Sequence, residues 1–176
     1  MEEIYQQLLQ DLGKADNELE KEIAGITDEA ASKRILPGTW SMADCVAHLS
    51  MIDFSVLNIV RKVPDKTSEL HKELTIIGRT KLRERLLDRS NKVKLPDSIE
   101  SRMEQIPLQA AYEKLRTTRK LIRETINSGN IISPKMIFPH SVLGNMTKID
   151  WLLTVPFHSL RHTEQIREVK SKLKEF

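Results

Sequence analysis

The sequence predicts an all-α protein, a four-helix bundle with an accessory helix, folded as a single domain over residues 1–176. Three observations support this prediction. The 176 residues include only 6 glycines and 7 prolines, charged residues reach 30%, and apolar residues recur at the helical period between the prolines. No alternation of the kind that strands show competes with this pattern.

The first two helices are predicted from an apolar stripe and a capping signal. In the first segment an apolar residue recurs every three or four positions from Ile4 to Ile26, which is typical of one long amphipathic helix. The second helix is expected to begin at Ser41, because Ser41 and Asp44 have the spacing of a capping box, and to stop before Pro64.

Three further segments complete the predicted bundle. A charged pattern from Glu69 to Val93 predicts the accessory helix, and a third main helix is expected between Pro107 and Gly129. Residues 129–146 are expected to form a crossover loop.

The last helix is expected to start at Thr147, where Thr147 and Asp150 repeat the capping-box spacing. Pro156 lies about ten residues into this helix. A proline there removes a backbone hydrogen bond, so it is expected either to kink the helix or to mark a later start.

Composition excludes several classes of protein. The single cysteine, Cys45, rules out an intramolecular disulfide framework and a Cys-rich zinc finger. No apolar run is expected to span a membrane and Met1-Glu2-Glu3 does not begin a signal peptide, so the expected location is cytoplasmic. The net charge of +3 is small, and the basic run from Gly78 to Lys94 is interpreted as a solvated helix, so nucleic acid is an unlikely partner.

The strongest chemical signal is a pair of histidines on the last helix. His158 and His162 are four residues apart, so their side chains lie on one helix face and can reach one metal ion. His48, on the second helix, is the candidate third ligand because helices of a bundle face one another across the core. Three neutral histidines would leave an open coordination position. The alternatives are a solvated polar face for the pair and a buried structural histidine at position 48.

Several motifs resemble the DinB-like superfamily of four-helix bundles, in the branch that includes bacillithiol S-transferases and metal-dependent hydrolases. The motifs that carry the resemblance are Thr39-Trp40-Ser41, Val46-Ala47-His48-Leu49, Leu143-Gly144-Asn145-Met146-Thr147, Asp150-Trp151-Leu152, Phe157-His158-Ser159-Leu160-Arg161-His162 and Gln165-Ile166. The resemblance implies that His48, His158 and His162 bind a divalent metal ion, nickel or zinc, and that the metal activates a low-molecular-weight thiol or water. It also implies a homodimer, which the long apolar stripe of the first helix would accommodate.

Other residues near the motifs have possible supporting roles. His140, in a loop element that resembles one seen in relatives, is a candidate substrate contact. Arg161 and Gln165 are candidates to orient groups around the ligands or a partner subunit, and Asp53 is a candidate acceptor for an imidazole proton, although each also fits a solvated helix face. Cys45 is a candidate thiolate ligand or nucleophile, against its more usual role as a small buried hydrophobe. Trp40 and Trp151 are interpreted as packing anchors.

Two classes of function follow from this sequence. The first is a metal-dependent enzyme that transfers a small-molecule thiol to an electrophile, with hydrolysis of a small substrate as the close competitor. The second is a non-catalytic helical-bundle protein, active in binding or in a stress response, whose metal is structural or adventitious.

Overall fold

The computed structural model describes residues 2–90, 106–129 and 131–173. Within these ranges the chain forms six helices and one hairpin. In chain order they are α1 (Glu2–Ile23), α2 (Asp28–Ser32), α3 (Met42–Arg61), α4 (Arg79–Leu87), α5 (Leu108–Asn127), β1 (Ile137–His140), β2 (Gly144–Thr147) and α6 (Lys148–Leu173). The predicted all-α class and four-helix bundle are confirmed, with α1, α3, α5 and α6 as the long helices.

The core lies where the apolar stripes meet. Helix α3 packs against both α5 and α6, α1 packs against α6, and α4 covers α6 from outside the bundle. Along the predicted stripe of α1, Leu8, Leu12 and Leu19 are fully buried. The helix ends at Ile23 rather than at Ile26, because Gly25 adopts a left-handed backbone conformation with φ of 73°.

Both predicted capping boxes form, and they set the starts of the two helices that carry the histidines. The Asp44 N–H donates to Ser41 Oγ at 3.1 Å, and the Ser41 N–H donates to Asp44 Oδ2 at 2.8 Å. At the start of α6, the Asp150 N–H donates to Thr147 Oγ1 and the Thr147 N–H donates to Asp150 Oδ2, each at 3.1 Å. Four orphan N–H groups are thereby satisfied.

The accessory helix is shorter than the sequence predicted. Helix α4 begins at Arg79 instead of Glu69, since the chain before it is held by the Asp150 carboxylate. That carboxylate accepts the N–H groups of Ile76 at 2.7 Å and Gly78 at 2.9 Å. Gly78 has φ of 80°, which a helix does not accommodate. The helix ends at Leu87, and the last three predicted residues, 91–93, lie outside the described part of the chain.

The expected crossover loop is not helical, as predicted, but it contains a β-hairpin that was not predicted. Strands β1 and β2 pair antiparallel, with Ile137 opposite Thr147 and His140 opposite Gly144. Each strand has only four residues and Pro139 stands within β1, so neither strand shows the alternation that sequence reasoning requires.

Pro156 lies inside α6, so the predicted start after Thr147 is confirmed and the alternative of a later start was wrong. The helix runs from Lys148 to Leu173 with Pro156 buried inside it. Proline lacks the N–H that would bond to the carbonyl of Leu152. The neighbours of Pro156, Val155 and Phe157, are 1% and 2% exposed, so tertiary burial outweighs the missing hydrogen bond.

Helix α3 is also long and apolar enough, by length and composition, to cross a membrane. This differs from the expectation that no segment would qualify. However, 61% of its most apolar window is buried within the bundle, as in the core helix of a soluble protein. The finding is therefore weak support for a membrane span.

Candidate metal centre

The bundle brings the three predicted histidines together. His48 on α3 faces His158 and His162, which are one turn apart on α6. The Nε2 atoms of His48 and His158 are 3.2 Å apart, and those of His158 and His162 are 3.1 Å apart. One ligand atom from each histidine lies within 4.8 Å of the other two.

The surroundings of the cluster favour neutral imidazoles. His48 and His162 are 4% and 7% exposed, and His158 is half-buried. Burial lowers the pKa of His48 to about 4. Burial, followed by the charges of the neighbouring histidines, lowers the pKa of His158 and of His162 well below the usual value. At neutral pH the three rings are uncharged and offer lone pairs.

The donor set fits a divalent metal ion. Each neutral imidazole carries one N–H, so three converging Nε2 atoms cannot all be satisfied by sharing protons among themselves. A cation among them accepts all three lone pairs. Metal–nitrogen bonds of about 2.0–2.1 Å place neighbouring nitrogen ligands roughly 3.0–3.4 Å apart, which agrees with the separations in the cluster. Imidazole ligands suit zinc, nickel, iron and copper.

Gln165 orients one of the three rings. His162 Nδ1 and Gln165 Oε1 are 3.0 Å apart, so the amide oxygen accepts the Nδ1 proton and the lone pair is left on Nε2. The sequence predicted that Gln165 orients groups around the ligands or a partner subunit, whereas in the structure it contacts a ligand itself. The Nδ1 atoms of His48 and His158 are buried without a partner among the described residues.

Replacing Gln165 with leucine is expected to weaken metal binding by about 10-fold, since His162 then loses the group that fixes its tautomer. Competition with a chromogenic chelator measures this affinity. Gln165→Glu, which keeps an acceptor, should stay close to wild type, and Glu164→Gln on the exposed face of the same turn is the control. Unchanged affinity in Gln165→Leu would show that the hydrogen bond does not orient the ligand.

Trp40 forms one wall of the cluster, a role beyond the packing anchor predicted for it. Its ring stacks on His162 with 5.6 Å between centroids and 14° between planes, and lies 5.0 Å from the His48 ring. Arg34 holds the preceding loop by donating to the Thr39 carbonyl at 2.6 Å and pairing with Asp44 at 2.7 Å. The short spacing between Trp40 and His48 was the sequence signal that could have indicated this contact.

Within the residues that the structure describes, Asp53 and Arg161 do not form hydrogen bonds with the histidines of the cluster. Their hydrogen-bond partners are groups that stabilise the fold. Asp53 is fully buried and its Oδ2 accepts from Arg119 Nε at 2.8 Å, so it is neither a solvated residue nor an imidazole acceptor. Arg161 Nη1 donates to the Leu86 carbonyl at 3.0 Å and thereby satisfies the C-terminal end of α4. Sequence spacing along one helix could not reveal either partner, because both lie on other helices.

Cys45 is a buried hydrophobe. Its side chain has no exposed surface, and burial raises the pKa of its thiol far above the usual value. It is not among the residues whose ligand atoms converge. The alternative of a thiolate ligand or nucleophile is therefore disfavoured.

His140 lies at the end of β1 and is held by the hairpin turn. Its Nδ1 accepts the N–H groups of Val142 at 3.0 Å and Leu143 at 3.1 Å. Its ring packs on Trp151 with 4.9 Å between centroids. Burial lowers the pKa of His140.

Two clefts in the described surface lie away from the cluster. One, of about 410 Å³, lies between α1, α4 and α6 above Phe157 and Leu160. The other, of about 590 Å³, lies beside the start of α3. No histidine lines either cleft.

Fold and site together define a four-helix bundle with a three-histidine cluster between two of its long helices. The model of the DinB superfamily matches residues 11–166, and the chain belongs to that superfamily. The predicted resemblance is thereby confirmed.

The chain is also similar to two other proteins. The Bacillus subtilis (strain 168) protein called "Uncharacterized protein YuaE" is 26% identical over 156 residues, which cover 86% of this chain and 90% of that protein. The crystal structure of TT2238, a four-helix bundle protein, aligns with a TM-score of 0.59 at 15% identity, over 93% of this chain and 98% of that one. At this identity the structural match supports the fold alone.

Proposed function

We propose that the protein is a metal-dependent enzyme that transfers a low-molecular-weight thiol to an electrophilic small molecule. The observation that carries this proposal is the convergence of His48, His158 and His162, whose Nε2 atoms approach to 3.1–3.2 Å. A site with three protein ligands keeps a position for a further ligand, as catalytic sites do, whereas structural sites are closed by four. Nickel and zinc are the ions that we propose.

Thiol transfer accounts for the donor set better than hydrolysis does. A divalent metal ion supplies a Lewis acid that favours the thiolate form of a thiol, so no separate base is required. Hydrolysis is better served by a carboxylate base, but Asp53, the carboxylate five residues beyond His48, is engaged by Arg119. In the described part of the chain, the aromatic ring of Trp40 and the amide of Gln165 contact the cluster.

The proposed reaction is a substitution at carbon. The thiolate sulfur attacks the electrophilic carbon, a C–S bond forms, and the leaving group departs with the electron pair of the broken bond. The thiol proton passes to solvent. This chain holds the three imidazoles neutral by burial, orients His162 through Gln165, and covers one side of the cluster with Trp40.

An assay with 3-mercaptopropionate and 1-chloro-2,4-dinitrobenzene tests the proposal, because chloride is released as the coloured thioether forms. The protein loaded with nickel or zinc should accelerate the reaction, and His158→Ala should lower the rate by about 100-fold or more. Cys45→Ala is the control and should keep the activity. No acceleration with a panel of thiols and electrophiles, together with a lower melting temperature for His158→Ala, would support the non-catalytic alternative instead.

We also place this activity in the cytoplasm, where small thiols are kept reduced. The homodimer stays a prediction.

A further inference from the structure

The cleft of about 410 Å³ between α1, α4 and α6 is lined by an ion pair and an apolar floor. Arg79 Nε donates to Asp11 Oδ2 at 2.7 Å, and Arg79 Nη2 donates to Asp11 Oδ1 at 2.9 Å. The same guanidinium lies over the Phe157 ring, 5.6 Å from its centroid. Leu160, which follows Phe157 by three residues on α6, continues the floor. The charges of Asp11 and Arg79 neutralise each other, and the pair ties α4 to α1.

Two further cations line this cleft, each about one helical turn beyond the ion pair. Lys14 lies three residues after Asp11 on α1. Arg83 lies four residues after Arg79 on α4. Residues at these spacings share a helix face, so the two cations reach the cleft from different walls. Neither forms an ion pair with another residue that the structure describes.

The charges of the cleft are therefore unbalanced. Once Asp11 is paired, Glu84 is the other carboxylate of the lining, and it can balance only one of the two cations Lys14 and Arg83. Like charges that share a cleft repel each other, and an anion bound between them removes this repulsion. Thr80 lines the same cleft, and its hydroxyl is a further hydrogen-bond donor. An anion with several acceptor oxygens matches this set of donors.

A phosphate group has the required charge and number of acceptors. It carries a charge of about −1.5 to −2 at neutral pH and has three strong acceptor oxygens. Two of its oxygens can accept from Lys14 and Arg83 while the third accepts from Thr80. A carboxylate has a single charge and two oxygens, so it leaves one of the three donors unused.

We propose that this cleft binds the phosphate group of a small molecule, held by Lys14, Arg83 and Thr80. The volume of about 410 Å³ lies in the range of about 300–1,000 Å³ that is typical of small-molecule sites. The cleft therefore has room for an organic phosphate, whose carbon skeleton would rest on Leu160, as well as for the phosphate ion. The inference goes beyond the proposed function and is independent of it, because none of the three clustered histidines lines this cleft.

Titration of the full chain with phenyl phosphate, followed in proton–nitrogen-15 NMR spectra, tests the proposal because the shifted signals show where the ligand binds. The backbone signals of Lys14, Thr80 and Arg83 should shift and saturate. Lys14→Met and Arg83→Met keep an unbranched side chain and remove the charge, so each should weaken binding about 5-fold or more. Arg85→Met is the matched control, since Arg85 is exposed on the same helix but does not line the cleft.

Two further ligands identify the chemistry of the occupant. Benzoate has the same ring as phenyl phosphate but carries a carboxylate, so it should bind more weakly. Inorganic phosphate distinguishes the possible sources of the phosphate group. Tighter binding of phenyl phosphate than of inorganic phosphate would identify an organic phosphate as the ligand, whereas equal affinities would identify the phosphate ion.

Three results would overturn the proposal. Shifts that do not saturate, or a loss in Arg85→Met as large as that in Arg83→Met, would indicate general attraction of anions to a basic surface. Benzoate that binds as tightly as phenyl phosphate would contradict the assignment to phosphate. Saturable shifts confined to signals around His48 and His158 would place the ligand at the metal centre instead. The proposed thiol transfer stands or falls separately, by its own assay.

Discussion

Replacing His158 or His48 with alanine should abolish stoichiometric metal binding. Each substitution removes one of three ligands, and two nitrogen ligands with solvent hold a divalent ion far less tightly, by more than about 100-fold. We expect wild type to contain close to one metal ion per chain and each variant to contain a small fraction of that. Mass spectrometry of tag-free protein, with all samples purified identically, measures the content.

The control for this experiment is Cys45→Ala. Cys45 lies three residues before His48 on the same helix but is not part of the cluster, so its removal should leave the metal content unchanged. Circular dichroism checks that the histidine variants remain helical. If wild type stays free of metal after supplementation, or if either histidine variant keeps its metal, the proposed centre is wrong.

Replacing Arg119 with alanine should cost about 3–5 kcal/mol of unfolding free energy, because it breaks a buried ion-pair network. Arg119 is 3% exposed and bonds both to Asp53, which has no exposed surface, and to Asp16. Burial alone would lower the pKa of Arg119. The charges of Asp53 and Asp16 outweigh this effect, so the pKa is raised. Alanine at this position leaves the buried carboxylate of Asp53 without its positively charged partner. Asp53 lies on α3, the helix that also carries His48. Urea unfolding measures the loss.

Arg116→Ala provides the matched control on the same helix. Arg116 is 61% exposed and pairs with Glu113, also exposed, so its removal should change the free energy of unfolding by less than about 0.5 kcal/mol. A loss of less than about 1 kcal/mol in the free energy of unfolding of Arg119→Ala would indicate that protonation or hydration of the two carboxylates compensates for the missing arginine.

The main helices were predictable because their signals are local. The stripe through Leu8, Leu12 and Leu19 and the capping boxes at Ser41 and Thr147 are read from residues three or four apart, and each forms as expected. Metal ligation by the histidine pair of α6 remains a prediction. Position 48 was added because the resemblance and the geometry of a bundle required a third ligand.

The features that sequence reasoning missed depend on partners far away in the chain. Arg119 lies 66 residues from Asp53, and Gly78 lies 72 residues from the carboxylate of Asp150 that fixes the start of α4. Contacts between residues so far apart in the chain produce no periodic pattern in the sequence. The hairpin was missed for another reason, since strands of four residues are too short to display alternation.

The burial of Cys45 bears on how such an enzyme would survive its own substrates. Reactive electrophiles alkylate thiolates indiscriminately, and this chain has one cysteine. That thiol is shielded from solvent and kept protonated by the core, so the proposed cosubstrate would be the thiolate available to an electrophile near the histidine cluster. The protein would therefore resist self-inactivation through repeated turnovers.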